Sequence, residues 1–296
     1  VRICRIRERD AVVAVGGEAA AAAAGAAAAL LSKETKQTPW IYLPAGKEDG
    51  SELRCSAVVE GTPPRPMPDL AVIDPRLLSW ARPQEVADTG LRALARGAEA
   101  LVRAAEDPYC TAYAAAGIRL TLDHLNEAMA GAHAPRGRTA IAAASVMTAV
   151  AGDTASADTI LPAAGALAQY ATAPSGVFAG LLLPFFLAEA RRRHPLPVAD
   201  LLLAVSEPDH AQASPDLRAA LTVRRTAEEI HRLAAGFPEL FPPSLAAAGI
   251  SPEFLPSLAE RAADTRSGTS PDRCLSLLKA AWENRLTEKN EDAGLE

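Results

Sequence analysis

Alanine fills 66 of the 296 positions, about 22% of the chain, while Phe, Trp and Tyr together supply 4%. A core made from so small a side chain closes only when backbones come near one another. Ala is also the best helix former, so the composition points to closely packed helices. A β-sandwich, which depends on alternating aromatic and β-branched residues, is disfavoured on the same ground. At 296 residues the chain is long enough for about two ordinary domains and a sizeable core.

The chain reads in two styles. Residues 1 to about 75 hold short apolar runs separated by turn chemistry. Asp10–Val15 (DAVVAV) has the pattern of a buried strand, followed by Gly16-Gly17 and an Ala-rich helix over Glu18–Leu31. Trp40–Leu43 and Leu70–Ile73 read as two further strands, and Gly61–Pro68 (GTPPRPMP) as an extended connector. Strand, glycine turn, helix, strand is a βαβ unit, for which a parallel sheet is expected.

From about Pro83 the apolar spacing is helical almost throughout: Pro83–Arg103, Thr111–Met129, Arg138–Val150, Thr159–Gln169, Phe178–Arg193, Ser214–Gly236, Pro252–Asp264 and Pro271–Trp282. Ser251-Pro252-Glu253 and Ser270-Pro271-Asp272 each offer Ser as N-cap, Pro at the first helical position and an acid in the first turn. The fold class expected is α/β plus all-α. A short α/β dinucleotide-binding unit spans 1–82, an all-helical domain spans 83–286, and a polar tail over 287–296 frays.

The net charge of −6 disfavours a nucleic-acid partner, which would need a basic face. The one basic run, Arg191-Arg192-Arg193-His194, reads as a solvated helix end with its cations at the C-terminal dipole. The apolar stretches Ala19–Leu31 and Val177–Ala188 fall short of the roughly 18–20 residues of a membrane span, so no membrane partner is expected. Cys4, Cys55, Cys110 and Cys274 form neither a CxxC pair nor a dense disulfide framework, which with the absence of a signal-like N-terminus places the chain in the cytoplasm.

Several segments in order resemble one family. They are DAVVAVGG with its helix, Gly50-Ser51-Glu52, Pro68–Pro75 (PDLAVIDP), Thr89–Ala100 (TGLRALARGAEA), Pro174-Ser175-Gly176, Leu181–Pro184 (LLLP) and Ser244–Ile250 (SLAAAGI). Together they are similar to the iron-containing alcohol dehydrogenases and their maleylacetate reductase relatives, over roughly residues 10–282. The resemblance implies a dehydroquinate synthase-like fold, with an α/β nucleotide domain, a helical domain and the active site between them. The family has a further α/β segment before the strand matching Asp10–Val15. A sheet without it exposes an edge, which a second copy or another partner chain would cover.

The resemblance also assigns site positions. Its phosphate loop, GGGS with a following Asp and Lys, matches Gly16 and Gly17, then Glu18, Ala19, Ala22 and Gly25; its second cofactor stretch keeps Gly50, Ser51 and Glu52. A carboxylate at Glu18 repels a pyrophosphate, so NAD(P) binding is implied in weakened form. The family's metal ligands, an Asp and a His four apart on one helix, match Arg92 and Arg96. A further His matches Ser175, and the remaining ligand falls around Thr159–Leu161. Guanidinium groups cannot ligate a divalent metal, so no metal is expected. Arg92 and Arg96 either form an anion clamp with Ser175 for a small carboxylate or phosphate, or pair with Glu85, Asp88 or Glu99 on their own helix. Two functions stay open: an NAD(P)-dependent oxidoreductase of a small alcohol or carbonyl compound, and a repurposed homologue that binds an anionic metabolite or partner subunit without turnover.

Overall fold

The computed structural model describes residues 10–32, 37–45, 67–79, 81–130, 134–155, 159–205, 212–263 and 269–284. The expected Gly50, Ser51 and Glu52 stretch, most of the Pro-rich connector and the 287–296 tail lie outside the described residues.

The first region is the expected βαβ unit. Strand β1 (Val12–Gly16), helix α1 (Glu18–Leu31), strand β2 (Trp40–Pro44) and the two-residue β3 (Leu70–Ala71) build a parallel sheet in the order β1-β2-β3. Val12 pairs with Trp40 and Ile41 with Leu70. The third strand is shorter than Leu70–Ile73: Val72 still donates to the Tyr42 carbonyl at 2.8 Å, and the chain then turns into α2 (Pro75–Leu78). Ala21, Ala24 and Ala28, on one face of α1, pack on Ala14, Trp40 and Tyr42 as a small separate core. The Tyr42 hydroxyl donates to the Gly16 carbonyl at 2.9 Å and fixes the start of the βα turn. Gly16 has φ +143°, which a side chain would not tolerate.

Most of the rest of the described chain is helical. The helices are α3 (Pro83–Arg103), α4 (Pro108–Ala130), α5 (Pro135–Ala155), α6 (Ile160–Ala168), α7 (Ser175–Arg193), α8 (Pro195–Val205), α9 (Pro215–Gly236), α10 (Leu255–Ala262) and α11 (Pro271–Trp282). Helix α8 breaks the sequence expectation, since Pro195 and Pro197 stand at its start. Proline is tolerated in a first turn, where N–H groups lack partners anyway. Ser270 caps α11 as expected, accepting from Arg273 N at 3.3 Å. Ser251 does not cap: its hydroxyl donates to Glu253 at 3.0 Å, and a short 3-10 turn over Pro252–Phe254 precedes α10.

Helix α3 runs through the middle of this second core and packs on α4, α5, α6, α7 and α8. It is buried from Val86 to Val102 apart from Arg92. Its entry is anchored by Arg138 of α5, which donates to the carbonyls of Leu78 and Ala81 at 2.8 and 2.7 Å. Among the described residues no helix is long and apolar enough to cross a membrane.

Candidate functional site

Polar groups on a helix buried on nearly every side need partners. The buried polar side chains of α3 are Asp88, Thr89, Arg96 and Glu99. Asp88, 1% exposed, reaches the first turn of α7. Its Oδ1 accepts from Gly176 N at 2.5 Å and from Ser175 Oγ at 3.2 Å. Arg92, one turn further along α3 and half-buried, donates from Nη1 to Ser175 Oγ at 2.8 Å. The serine hydroxyl thus sits between a cation and an anion, accepting from one and donating to the other.

Glycine is required next to that serine. A Cβ on Gly176 would stand 2.2 Å from the Asp88 carbonyl oxygen, so the start of α7 rests directly on the α3 backbone. The first turn of a helix carries unpaired N–H groups and a partial positive charge, and a buried carboxylate answers both.

Arg96 goes elsewhere. It is 3% exposed, and its stem lies against Gly152 of α5, where a Cβ would come within 2.8 Å of Arg96 Cγ and Cδ. The pair therefore diverges: Arg92 meets Ser175 with some solvent access, and Arg96 is enclosed beside α5. In the stretch that the resemblance matches to the remaining ligand, Thr159, Ile160 and Leu161 are all buried, and the Thr159 hydroxyl accepts from Arg103 at 2.6 Å.

Gly16 and Gly17 form the turn into α1, and among the described residues no side chain caps that helix. Ala20 N and Ala21 N donate to the Gly17 carbonyl at 3.0 and 3.2 Å, so a phosphate at this turn would have to take the N–H groups before them. Glu85 forms an ion pair with Arg82 at 3.0 Å, and Glu99 with Arg103 at 3.0 Å. The sequence named Arg92 and Ser175 but missed that Asp88 joins them; its one signal was the four-residue spacing Asp88, Arg92, Arg96 along one face.

No family model matches the sequence, and no curated protein matches it either. Solved structures do. An alcohol dehydrogenase from Oenococcus oeni superposes with a TM-score of 0.80 at 22% identity, over 95% of this chain and 79% of that one. The fold is that of the iron-containing alcohol dehydrogenases. An iron-containing alcohol dehydrogenase from Corynebacterium glutamicum gives 0.71 at 19% identity, over 94% of this chain and 75% of that one. Sulfoacetaldehyde reductase from Bifidobacterium kashiwanohense, in complex with NAD+, gives 0.72 at 22%, over 95% and 78%. Maleylacetate reductases are also among the matches.

With the alcohol dehydrogenase fold in place, the metal question becomes one of donor chemistry. Arg92 and Arg96 are cations, Ile160 and Leu161 offer hydrocarbon, the Thr159 hydroxyl is taken by Arg103, and the Ser175 hydroxyl is held between Arg92 and Asp88. These residues do not fit a divalent metal, which needs neutral or anionic donors. Among the described residues no cluster of three or more His, Cys, Asp or Glu side chains is placed to hold one.

Proposed function

We propose that this chain is an NAD(P)-linked oxidoreductase of the iron-containing alcohol dehydrogenase type that acts on a small anionic carbonyl or alcohol compound without the family's metal. The observation that carries the reading is the hydrogen bond between Arg92 and Ser175, which joins two residues 83 apart in sequence at the positions where the family places metal ligands. The fold and the uncapped turn at Gly16 and Gly17 support the nucleotide half of the reading.

Bound NAD(P)H would supply the hydride. Arg92 places positive charge where a carbonyl oxygen becomes an alkoxide, the task a Lewis acid performs elsewhere. Ser175 fixes the guanidinium from one side, and Asp88 fixes Ser175. An anionic substituent on the substrate adds to the attraction.

A second reading has its own support. The same acid, arginine and hydroxyl arrangement occurs on α3 at Glu99, Arg103 and Thr159, where it docks a helix. A cluster built to dock helices fits a repurposed homologue that binds an anion or a partner subunit and turns nothing over.

Thermal stability with NADH and NADPH, and turnover of small carboxylate-bearing aldehydes and ketones, separate the two. The oxidoreductase reading expects a stability gain of about 2.7 kcal/mol at 100 times the Kd, and turnover that Arg92→Ala abolishes. Nucleotide binding without turnover supports the second reading. Near one iron or zinc per chain by elemental analysis, lost on mutating Ser175, overturns the metal-free site.

A further inference from the structure

A cavity of about 840 Å³ opens at the other end of α3, between the ends of α3, α5 and α7, the 104–107 connector and the first turns of α8 and α11. Arg92 and Arg103 are eleven residues apart on α3, so the cavity begins about 16 Å along the helix from Arg92. Its volume lies within the range of sites for small organic ligands.

The lining divides by chemistry. Val102, Phe186 and Ala190 give an apolar floor, all of them buried. Of the acids around it, Asp107 accepts from Tyr109 N and Cys110 N at 2.8 and 3.0 Å, capping α4. Glu189 is paired with Arg193 at 3.1 Å, and Asp200 with Arg218 at 3.6 Å. Arg103 is held by Glu99. The half-buried Arg273 guanidinium and the His194 imidazole make no hydrogen bond or ion pair with the described residues, and both line the cavity. Glu106, at the exposed rim, is the remaining acid.

We propose that this cavity is a second ligand site, taking a small carboxylate with an apolar body, Arg273 forking the carboxylate and the Val102, Phe186 and Ala190 floor taking the body. A planar guanidinium matches a carboxylate through two parallel hydrogen bonds, and His194 adds a donor. The apolar floor selects an organic acid over inorganic phosphate. The site is independent of the nucleotide and of Arg92.

Calorimetric titration of the full chain with benzoate tests it, with benzyl alcohol and inorganic phosphate as comparison probes. Benzoate should bind, and Arg273→Gln should weaken it by about tenfold or more, the loss expected for hydrogen bonds to a charged group. Arg273→Lys, which keeps the charge and loses the fork, should fall between the two. Arg92→Gln should leave the affinity unchanged. Absence of benzoate binding at millimolar concentration, equal binding by wild type and either Arg273 variant, tighter binding of phosphate, or loss of benzoate binding in Arg92→Gln overturns the proposal. The Arg92→Gln arm keeps this outcome separate from the fate of the oxidoreductase reading.

Discussion

Two clusters on α3 are built to one plan. At the first, Asp88 accepts from the start of α7, and Arg92, four residues on, binds the Ser175 hydroxyl there. At the second, Glu99 accepts from Thr159 N at 2.8 Å and Ile160 N at 3.2 Å, and Arg103, four residues on, binds the Thr159 hydroxyl at 2.6 Å. Eleven residues separate the acids, about three helical turns, so both lie on one face of α3. Each docks the first turn of a different helix. They differ in the enclosure of the hydroxyl: Thr159 is 1% exposed and Ser175 is half-buried, while Arg92 and Arg103 are both half-buried. The comparison teaches that a charged cluster on this helix is first of all a joint between helices. The hydroxyl open to chemistry is the half-buried one, Ser175, while Thr159 is enclosed.

The largest effect expected is at the enclosed joint. Glu99→Ala leaves two buried N–H groups and Arg103 without their carboxylate and should cost about 3–5 kcal/mol in chemical denaturation. A loss below that of Asp88→Ala would break the claim that this joint is the more enclosed one.

At the open joint, Gly176→Ala puts a methyl into the α3 backbone and should cost about 3 kcal/mol, the upper part of the overpacking range. A neutral Gly176→Ala would mean that α7 does not rest on Asp88. Asp88→Ala keeps the helix contact but removes the carboxylate, for a loss of about 1.5–3 kcal/mol by the same denaturation measurement.

The smallest effect sharpens the contrast through a reporter on α11. Cys274 is buried, and its thiol pKa is raised first by burial and then by the Glu99 carboxylate. Glu99→Gln removes the second cause while keeping the volume. The Cys274 thiol should then titrate lower, as read from alkylation rates across an alkaline pH series with the site identified by mass spectrometry. Asp88→Asn should leave that profile unchanged. Equal profiles for the Glu99 variant and wild type would place the carboxylate's field elsewhere.

Local signals carried the elements well where they were strong. The alanine run after Gly16-Gly17 gave Glu18–Leu31, and Ser270-Pro271-Asp272 marked the start of α11, because cap chemistry and period are properties of neighbouring residues. Pro195 and Pro197 hid α8, since a proline-rich start resembles a connector. Ser251 had the same pattern as Ser270 yet made no cap, because Glu253 took its hydroxyl. Arg92 and Ser175 were legible as a pair through the ordered resemblance alone; their own flanking residues contain nothing that links them. Asp88 and Glu99 were visible as acids on a helix. The backbone N–H groups they accept from lie 60 to 88 residues away, beyond the reach of local spacing.

By itself the sequence determined the helical class, the parallel βαβ unit and the kind of donor at each site position, because these follow from propensity, period and side-chain chemistry. Guanidinium groups stand at the two α3 positions that the resemblance matches to metal ligands, whatever the fold does. The tertiary structure decided what those side chains meet. The first turns of α6 and α7 came to rest on one face of α3, and a buried carboxylate beneath each met N–H groups that no residue within their own helices could satisfy. Burial then separated Arg92, held where a ligand can approach, from Arg96, enclosed against Gly152. Two arginines four residues apart are equivalent along a helix. They become different when another helix packs over one of them.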